Sequence, residues 1–151
     1  MATIESLKQK YQDLGESFEA RTDIGIDPSC LLAFDYEFRG QETEVVIDTQ
    51  EFTAVCPWTD LPDFGVLTIK YVPDRFCIEL KSLKYYLLSY RGAGIVQEHA
   101  ANRVLNDLVA SCQPRRMTVT LDYNPRGGLH TTVSARYDMP GSGASDDVRS
   151  S

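Results

Sequence analysis

Cys56 and Asp63 are the residues of this chain whose types and spacing most directly suit chemistry. They lie in the stretch Cys56-Pro57-Trp58-Thr59-Asp60-Leu61-Pro62-Asp63-Phe64-Gly65, whose two prolines and glycine predict an ordered, irregular loop between strands. Such a loop folds back so that its ends face one pocket. A thiol must become a thiolate to attack carbon, and an acid close by must protonate what forms. Cysteine with aspartate supplies both groups. The competing role is structural, since free cysteine is among the most buried residue types. Cys30, Cys77 and Cys112 fall on expected apolar faces and read as core.

Three further segments carry polar groups in suggestive places. Glu79-Leu80-Lys81-Ser82-Leu83-Lys84 straddles a strand end and a helix start, with Ser82 as the expected N-cap. Two of the chain's five lysines fall here. A helix N-terminus flanked by two cations suits a phosphate-bearing ligand, although helix-start lysines are usually solvated surface. Gln97-Glu98-His99 opens a second helix. There Glu98 either answers the helix dipole or recognises paired N–H donors of a planar heterocycle. Arg126-Gly127-Gly128 reads as a turn, and glycine lets backbone approach a ligand closely. His99 and His130 lie far apart, and the four cysteines contain no CxxC pair, so no metal site is expected.

The elements that must position these groups belong to one domain. The chain has 151 residues, 42% hydrophobic and 25% charged, as ordinary globular proteins do. Its 15 Lys and Arg against 22 Asp and Glu give a net charge of -7, which disfavours nucleic acid as a partner. No apolar run approaches the roughly 20 residues that span a bilayer. Met1 to Lys8 carries no apolar signal core. A soluble cytoplasmic protein without a membrane partner is the expectation.

Periodicity predicts a helical arm over 3–14, then a loop to Pro28. Strands are expected at Leu31 to Phe38 and Glu44 to Phe52, joined as a hairpin by Arg39-Gly40-Gln41-Glu42. A strand from Val66 to Val72 leaves the Cys56 loop. A helix begins at Ser82, with Leu83, Tyr86, Leu87 and Tyr90 as its stripe, and a second runs from Ile95 to Ser111. Met117 to Tyr123 and Leu129 to Tyr137 alternate strictly, as strands with one buried face. There is no β-α-β alternation and no GxGxxG, so the fold class is α+β, an antiparallel sheet with a pair of helices on one face. The single domain is expected over 29–138, between an arm and loop at 1–28 and a mobile tail at 139–151.

Taken in register, five segments resemble the NADPH-dependent 7-cyano-7-deazaguanine reductases, the nitrile reductases of queuosine biosynthesis, in their short single-domain form. They are Glu51 to Pro57, Pro62-Asp63-Phe64, Glu79 to Tyr86, Glu98 with Asn102-Arg103, and Pro125 to Gly128. The resemblance implies a tunnelling fold (T-fold), a ring-forming homo-oligomer whose active sites lie between subunits. It implies that Cys56 attacks the nitrile of 7-cyano-7-deazaguanine to form a thioimide, that NADPH delivers two hydrides, and that Asp63 supplies protons. Ile78, Glu79, Leu80, Gln97 and Glu98 would bind the base, while Lys81, Lys84, Arg126 and Gly127 would serve the cofactor. Many members have His where this chain has Gln97, and Ser where it has Leu80. Three rivals share the general fold. They are an amidine-forming relative that uses ammonia, a zinc cyclohydrolase whose His/Cys set this chain lacks, and a non-catalytic binding protein.

Overall fold

Side-chain alternation drives the main sheet. The computed structural model describes residues 3–6, 9 and 25–141. Along the chain run β1 (Ala33–Asp35), β2 (Val45–Val55), β3 (Pro62–Val72), β4 (Phe76–Ile78), α1 (Leu80–Leu88), α2 (Gln97–Cys112), β5 (Arg116–Tyr123) and β6 (Thr132–Asp138). Four strands pair antiparallel in the order β2-β3-β5-β6, and β1 pairs with β4 in a separate two-stranded sheet. On β5 every second residue is buried, Met117, Val119, Leu121 and Tyr123, as the sequence predicts. On β3 the same row contains Leu67, Ile69 and Tyr71, and it continues through Gly65 to Asp63.

The helices close over that row. Leu83 and Tyr86 of α1, then Ala101, Val104, Leu105, Leu108 and Cys112 of α2, join the sheet residues in one cluster. Each large apolar side chain fully buried there contributes roughly 1.5–3 kcal/mol. A polar tie links the helices. The Tyr86 hydroxyl donates to Asp107 Oδ2 at 2.6 Å, Arg103 Nε donates to the same oxygen at 2.9 Å, and the Tyr90 hydroxyl lies 2.7 Å from that of Tyr86.

Several expected boundaries move. The strand at 31–38 is only Ala33–Asp35, and its partner is Phe76–Ile78 rather than β2. Arg39 to Glu42 is therefore not a hairpin connection. β3 begins at Pro62, not Val66, because proline is tolerated as the first residue of a strand. The irregular loop shrinks to 56–61, and Asp63 lies on a strand. The second helix starts at Gln97, two residues later than expected, with Val96 at its N-cap. β6 starts at Thr132, and Leu129 before it is exposed. Of the expected arm, residues 4–6 and 9 are helical. The rest of the arm, most of the 16–28 loop and the tail beyond 141 lie outside the described residues.

Candidate active site

Three local features bring Cys56 to the end of the core. The first is a register shift between Thr49 and Phe52, which puts one extra residue into β2 opposite β3. It changes the parity of the inward row from Val45, Ile47 and Thr49 to Phe52 and Ala54. Cys56 follows in that phase. The second is the β2–β3 connection itself, a single tight turn. The Asp60 N–H donates to the Cys56 carbonyl at 2.8 Å, and the Cys56 N–H donates to the Leu61 carbonyl at 2.9 Å. Asp60, at φ 56°, ends the turn in the left-handed region. Pro57 occupies the first position of this turn, where its missing N–H costs nothing. The third is a parallel bridge between Val55 and Gly94, through Val55 N–H to Ala93 O at 2.9 Å and Ile95 N–H to Val55 O at 3.0 Å. That bridge sets the start of α2, with Gln97 and Glu98, beside the loop.

The turn acts on the thiol as an N-cap acts on a helix. The backbone N–H groups of Trp58 and Thr59, and the Thr59 hydroxyl, act on the Cys56 sulfur in the sense that favours its thiolate. Burial and the nearby Asp63 charge oppose the thiolate. The three hydrogen bonds outweigh them and hold Cys56 below its ordinary value. The other cysteines go the opposite way. Burial, then the Asp27 charge, pushes Cys30 up, burial pushes up Cys77, and Cys112 is pushed up to about 12 by burial first.

Asp63 is 3% exposed, and it is one of two buried polar residues among the described residues. Its partner comes from the β5–β6 turn. Arg126 Nη1 lies 2.5 Å from Asp63 Oδ1, and Arg126 also faces Cys56. Gly127 and Gly128, at φ 58° and 80°, form the two-residue tip that bridges Arg126 to Leu129. The Asn124 N–H donates to Phe64 O at 2.8 Å and ties this turn to β3 beside Asp63. Gly65 allows the approach of β3 to β5, since a Cβ there would stand 2.8 Å from Asp122 O and 3.1 Å from Tyr123 Cα.

A cavity of about 410 Å³ results, lined by Cys56, Asp63, Gln97, Glu98 and Arg126 together with Trp58, Thr59 and Leu129. Tyr123 lies beneath it, buried, its hydroxyl held un-ionised first by that burial and then by the Asp63 and Glu98 charges. Thus five sequence-selected residues share one cavity, and Gly127 follows Arg126 at its rim. Thr59 and Trp58 were not singled out by the sequence. The signal for Thr59 is its place three residues after Cys56, at capping distance.

The Glu79 segment lies elsewhere on the chain. Glu79, not Ser82, caps α1, with Oε1 accepting from Lys81 N–H at 2.8 Å and Oε2 from Ser82 N–H at 2.7 Å. These bonds, Ser82 first, hold its carboxyl below the usual range. Ser82 sits one turn inside, where its hydroxyl donates to Glu79 O and accepts from Leu32 N–H. The Ile78 side chain is in the core. Leu80, Lys81 and Lys84 are exposed, and Leu80 and Lys84 line a second, apolar cavity of about 280 Å³ with Asp48, Glu51 and Arg91. The expected phosphate site at this helix start is thereby narrowed to lysine side chains, because Glu79 occupies the first amides. Among the described residues no group of His, Cys, Asp and Glu is arranged for a metal, and His130 pairs with Asp122.

Comparison with known proteins identifies the family. Residues 62–142 match the family described as QueF-like protein. A protein of Chlorobaculum tepidum named NADPH-dependent 7-cyano-7-deazaguanine reductase is 55% identical over 112 residues, covering 74% of this chain and 96% of that one. A protein of the same name from Caldicellulosiruptor bescii is 52% identical over 132 residues, covering 87% and 99%. Among solved structures, the apo archaeosine synthase QueF-Like superposes with a TM-score of 0.59 at 25% identity, over 64% of this chain and 94% of that one. This chain belongs to the QueF-like family, that of the NADPH-dependent 7-cyano-7-deazaguanine reductases.

Proposed function

We propose that this protein reduces the nitrile of 7-cyano-7-deazaguanine to the aminomethyl base with two NADPH, in queuosine biosynthesis. The observation that carries this reading is the shared cavity of Cys56, Asp63 and Glu98. Relatives at 50–55% identity that bear the reductase name support it. In the proposed mechanism Cys56 Sγ bonds to the nitrile carbon as one C–N π bond opens. The thiol proton passes to Asp63, which Arg126 holds in place at 2.5 Å, and from there to the nitrile nitrogen. A thioimide results. NADPH, when bound, would supply the two hydrides that convert it to the amine, while Asp63 relays from solvent one proton to the nitrogen and one to the released thiolate. Between the two reductions the C–S bond breaks, and the hydrogen bonds that lower the Cys56 pKa make the sulfur a good leaving group.

Glu98 holds the base by accepting its paired N–H groups, with Gln97 alongside. Lys81, Lys84 and the Arg126-Gly127 turn fit the phosphates of a dinucleotide by charge. The Ile78-Glu79-Leu80 segment is proposed to reach the base from a neighbouring subunit of a T-fold ring. Two features support that assembly. β2 and β6 leave strand edges on the four-stranded sheet, and apolar Trp58, Leu61, Phe64 and Leu129 are exposed around or near the cavity. The net charge of -7 supports a small-molecule substrate rather than nucleic acid. No helix of the described residues is long and apolar enough to cross a membrane. The proposed setting is the cytoplasm, which four unpaired thiols suit.

The test mixes purified protein with 7-cyano-7-deazaguanine and NADPH and follows the reduced-nicotinamide absorbance. Two NADPH consumed per nitrile, abolished by Cys56→Ala, is the expected result. A base–protein adduct without NADPH consumption would favour the ammonia-using relative. Neither signal would favour a non-catalytic binding protein.

A further inference from the structure

Thr59 lines the cavity together with Cys56 and the charged groups, and its hydrogen-bond inventory constrains which way its proton points. A threonine hydroxyl has one proton to give and two lone pairs. Both lone pairs face N–H groups that can only donate. Leu61 N–H approaches Oγ1 at 3.3 Å, and Arg126 Nη2 approaches it at 3.5 Å. The hydroxyl proton is then left for an acceptor, and Cys56, which lines the same cavity, supplies a sulfur whose thiolate this hydroxyl favours. We propose that Thr59 is a positioning residue for the reaction, a hydroxyl oriented by Leu61 and Arg126 so that its proton stabilises the Cys56 thiolate both when it attacks and when it leaves.

This inference rests on the reading of Cys56 as nucleophile and assigns the loop a second role beyond holding it. The titratable or charged groups around the sulfur are Asp63 on β3, Arg126 on the β5–β6 turn and Glu98 at the start of α2. Thr59 lines the same cavity as a neutral hydroxyl with two donors already on its oxygen. Arg126 thereby acts on Cys56 by two routes, facing it directly and orienting Thr59. Asp63 draws the same guanidinium toward itself. Thr59 is exposed and packs into no core, so valine in its place preserves shape and removes the proton.

The experiment measures the pH profile of Cys56 alkylation by iodoacetamide, with peptide mapping to separate it from the other cysteines, in the wild type, Thr59→Val and Thr59→Ser. Loss of one hydrogen bond to a charged, partly exposed sulfur should move the midpoint of Thr59→Val up by roughly half to one pH unit. The weaker thiolate population is partly offset by the higher nucleophilicity of a more basic thiol. The rate at neutral pH should therefore fall only about two- to fourfold. Thr59→Ser should keep the wild-type midpoint. A Thr59→Val midpoint equal to wild type in a protein of unchanged melting temperature overturns the proposal, as does a Thr59→Ser midpoint that shifts with Thr59→Val. Retention of turnover by Cys56→Ala is a separate failure, of the nucleophile reading, and leaves the alkylation result to be read on its own.

Discussion

Replacing Gly65 with alanine probes how the fold sets the site without touching any polar group in it. The new Cβ would stand 2.8 Å from Asp122 O, 3.1 Å from Tyr123 Cα and 3.3 Å from Asp122 C, all of them backbone atoms. Ordinary contact begins near 3.4 Å, so β3 and β5 must separate locally by about half an ångström. Overpacking of this kind costs about 1–3 kcal/mol. For a chain of this size each kcal/mol lowers the melting temperature by about 2–4 °C, which predicts a fall of roughly 2–12 °C by circular dichroism. The displacement falls at the Gly65–Tyr123 pair, two residues from Asp63 and directly beneath the cavity. A misplacement of about 1 Å can cost a hundredfold in rate, so half of that predicts a loss of about tenfold in kcat by NADPH oxidation. A variant that melts within about 1 °C of wild type and turns over normally would refute the claim that a missing Cβ lets β3 present Asp63.

Asp63→Asn should separate making the nucleophile from moving the proton. The Asp63 charge raises the Cys56 pKa, so its removal should speed alkylation at neutral pH while turnover falls by about 10²–10⁴. A parallel fall in both would assign Asp63 to thiolate formation alone. As pH is raised from neutrality, Cys56 should be alkylated before Cys30, because one lies below and the other above its ordinary value, and Cys112 should stay unmodified. Equal rates for Cys56 and Cys30, read by mass spectrometry, would support the non-catalytic reading. Glu98→Ala should weaken base binding roughly five- to hundredfold by calorimetry, since N–H donors of the ligand lose their acceptor. Unchanged affinity would remove Glu98 from base recognition.

What the sequence made legible was local. Strict alternation identified β5, and helical spacing gave Leu83, Tyr86 and Leu87 as the inward stripe of α1, because period and burial are properties of neighbouring residues. The Cys56 loop was recognisable by its prolines, and the segments that resemble the reductases contain four of the residues lining the cavity, Cys56, Asp63, Glu98 and Arg126. Misreadings arose where the deciding partner is distant. Ala33–Asp35 has strand character, but its partner Phe76–Ile78 is distant in sequence, so the nearby turn reads as a hairpin. Glu79 and Ser82 are both capping residues, and only three-dimensional reach chose the glutamate. The Arg126–Asp63 pair joins residues 63 positions apart through a turn that reads simply as Gly-Gly. Thr59 is not legible in the sequence, because its proposed role depends on Leu61 and Arg126 filling its lone pairs.

The division of the sequence-selected residues into two places bears on assembly. Cys56, Asp63, Gln97, Glu98 and Arg126 share one cavity, whereas Leu80 and Lys84 line another, and Glu79 spends its carboxylate on its own helix. The first cavity is open, with Trp58 83% and Leu129 76% exposed at its rim. Hydride addition to an activated nitrile needs water excluded, because a thioimide exposed to solvent hydrolyses. A single chain does not provide that cover. In the proposed ring, a second copy laid over Trp58 and Leu129 would bury apolar surface, exclude water from the sulfur and bring the Glu79 segment to the base. Drying the cavity also strengthens the Arg126–Asp63 attraction and the hydrogen bonds to Cys56, since each works in a lower dielectric. In that ring, assembly and nucleophile activation would be consequences of the same contact.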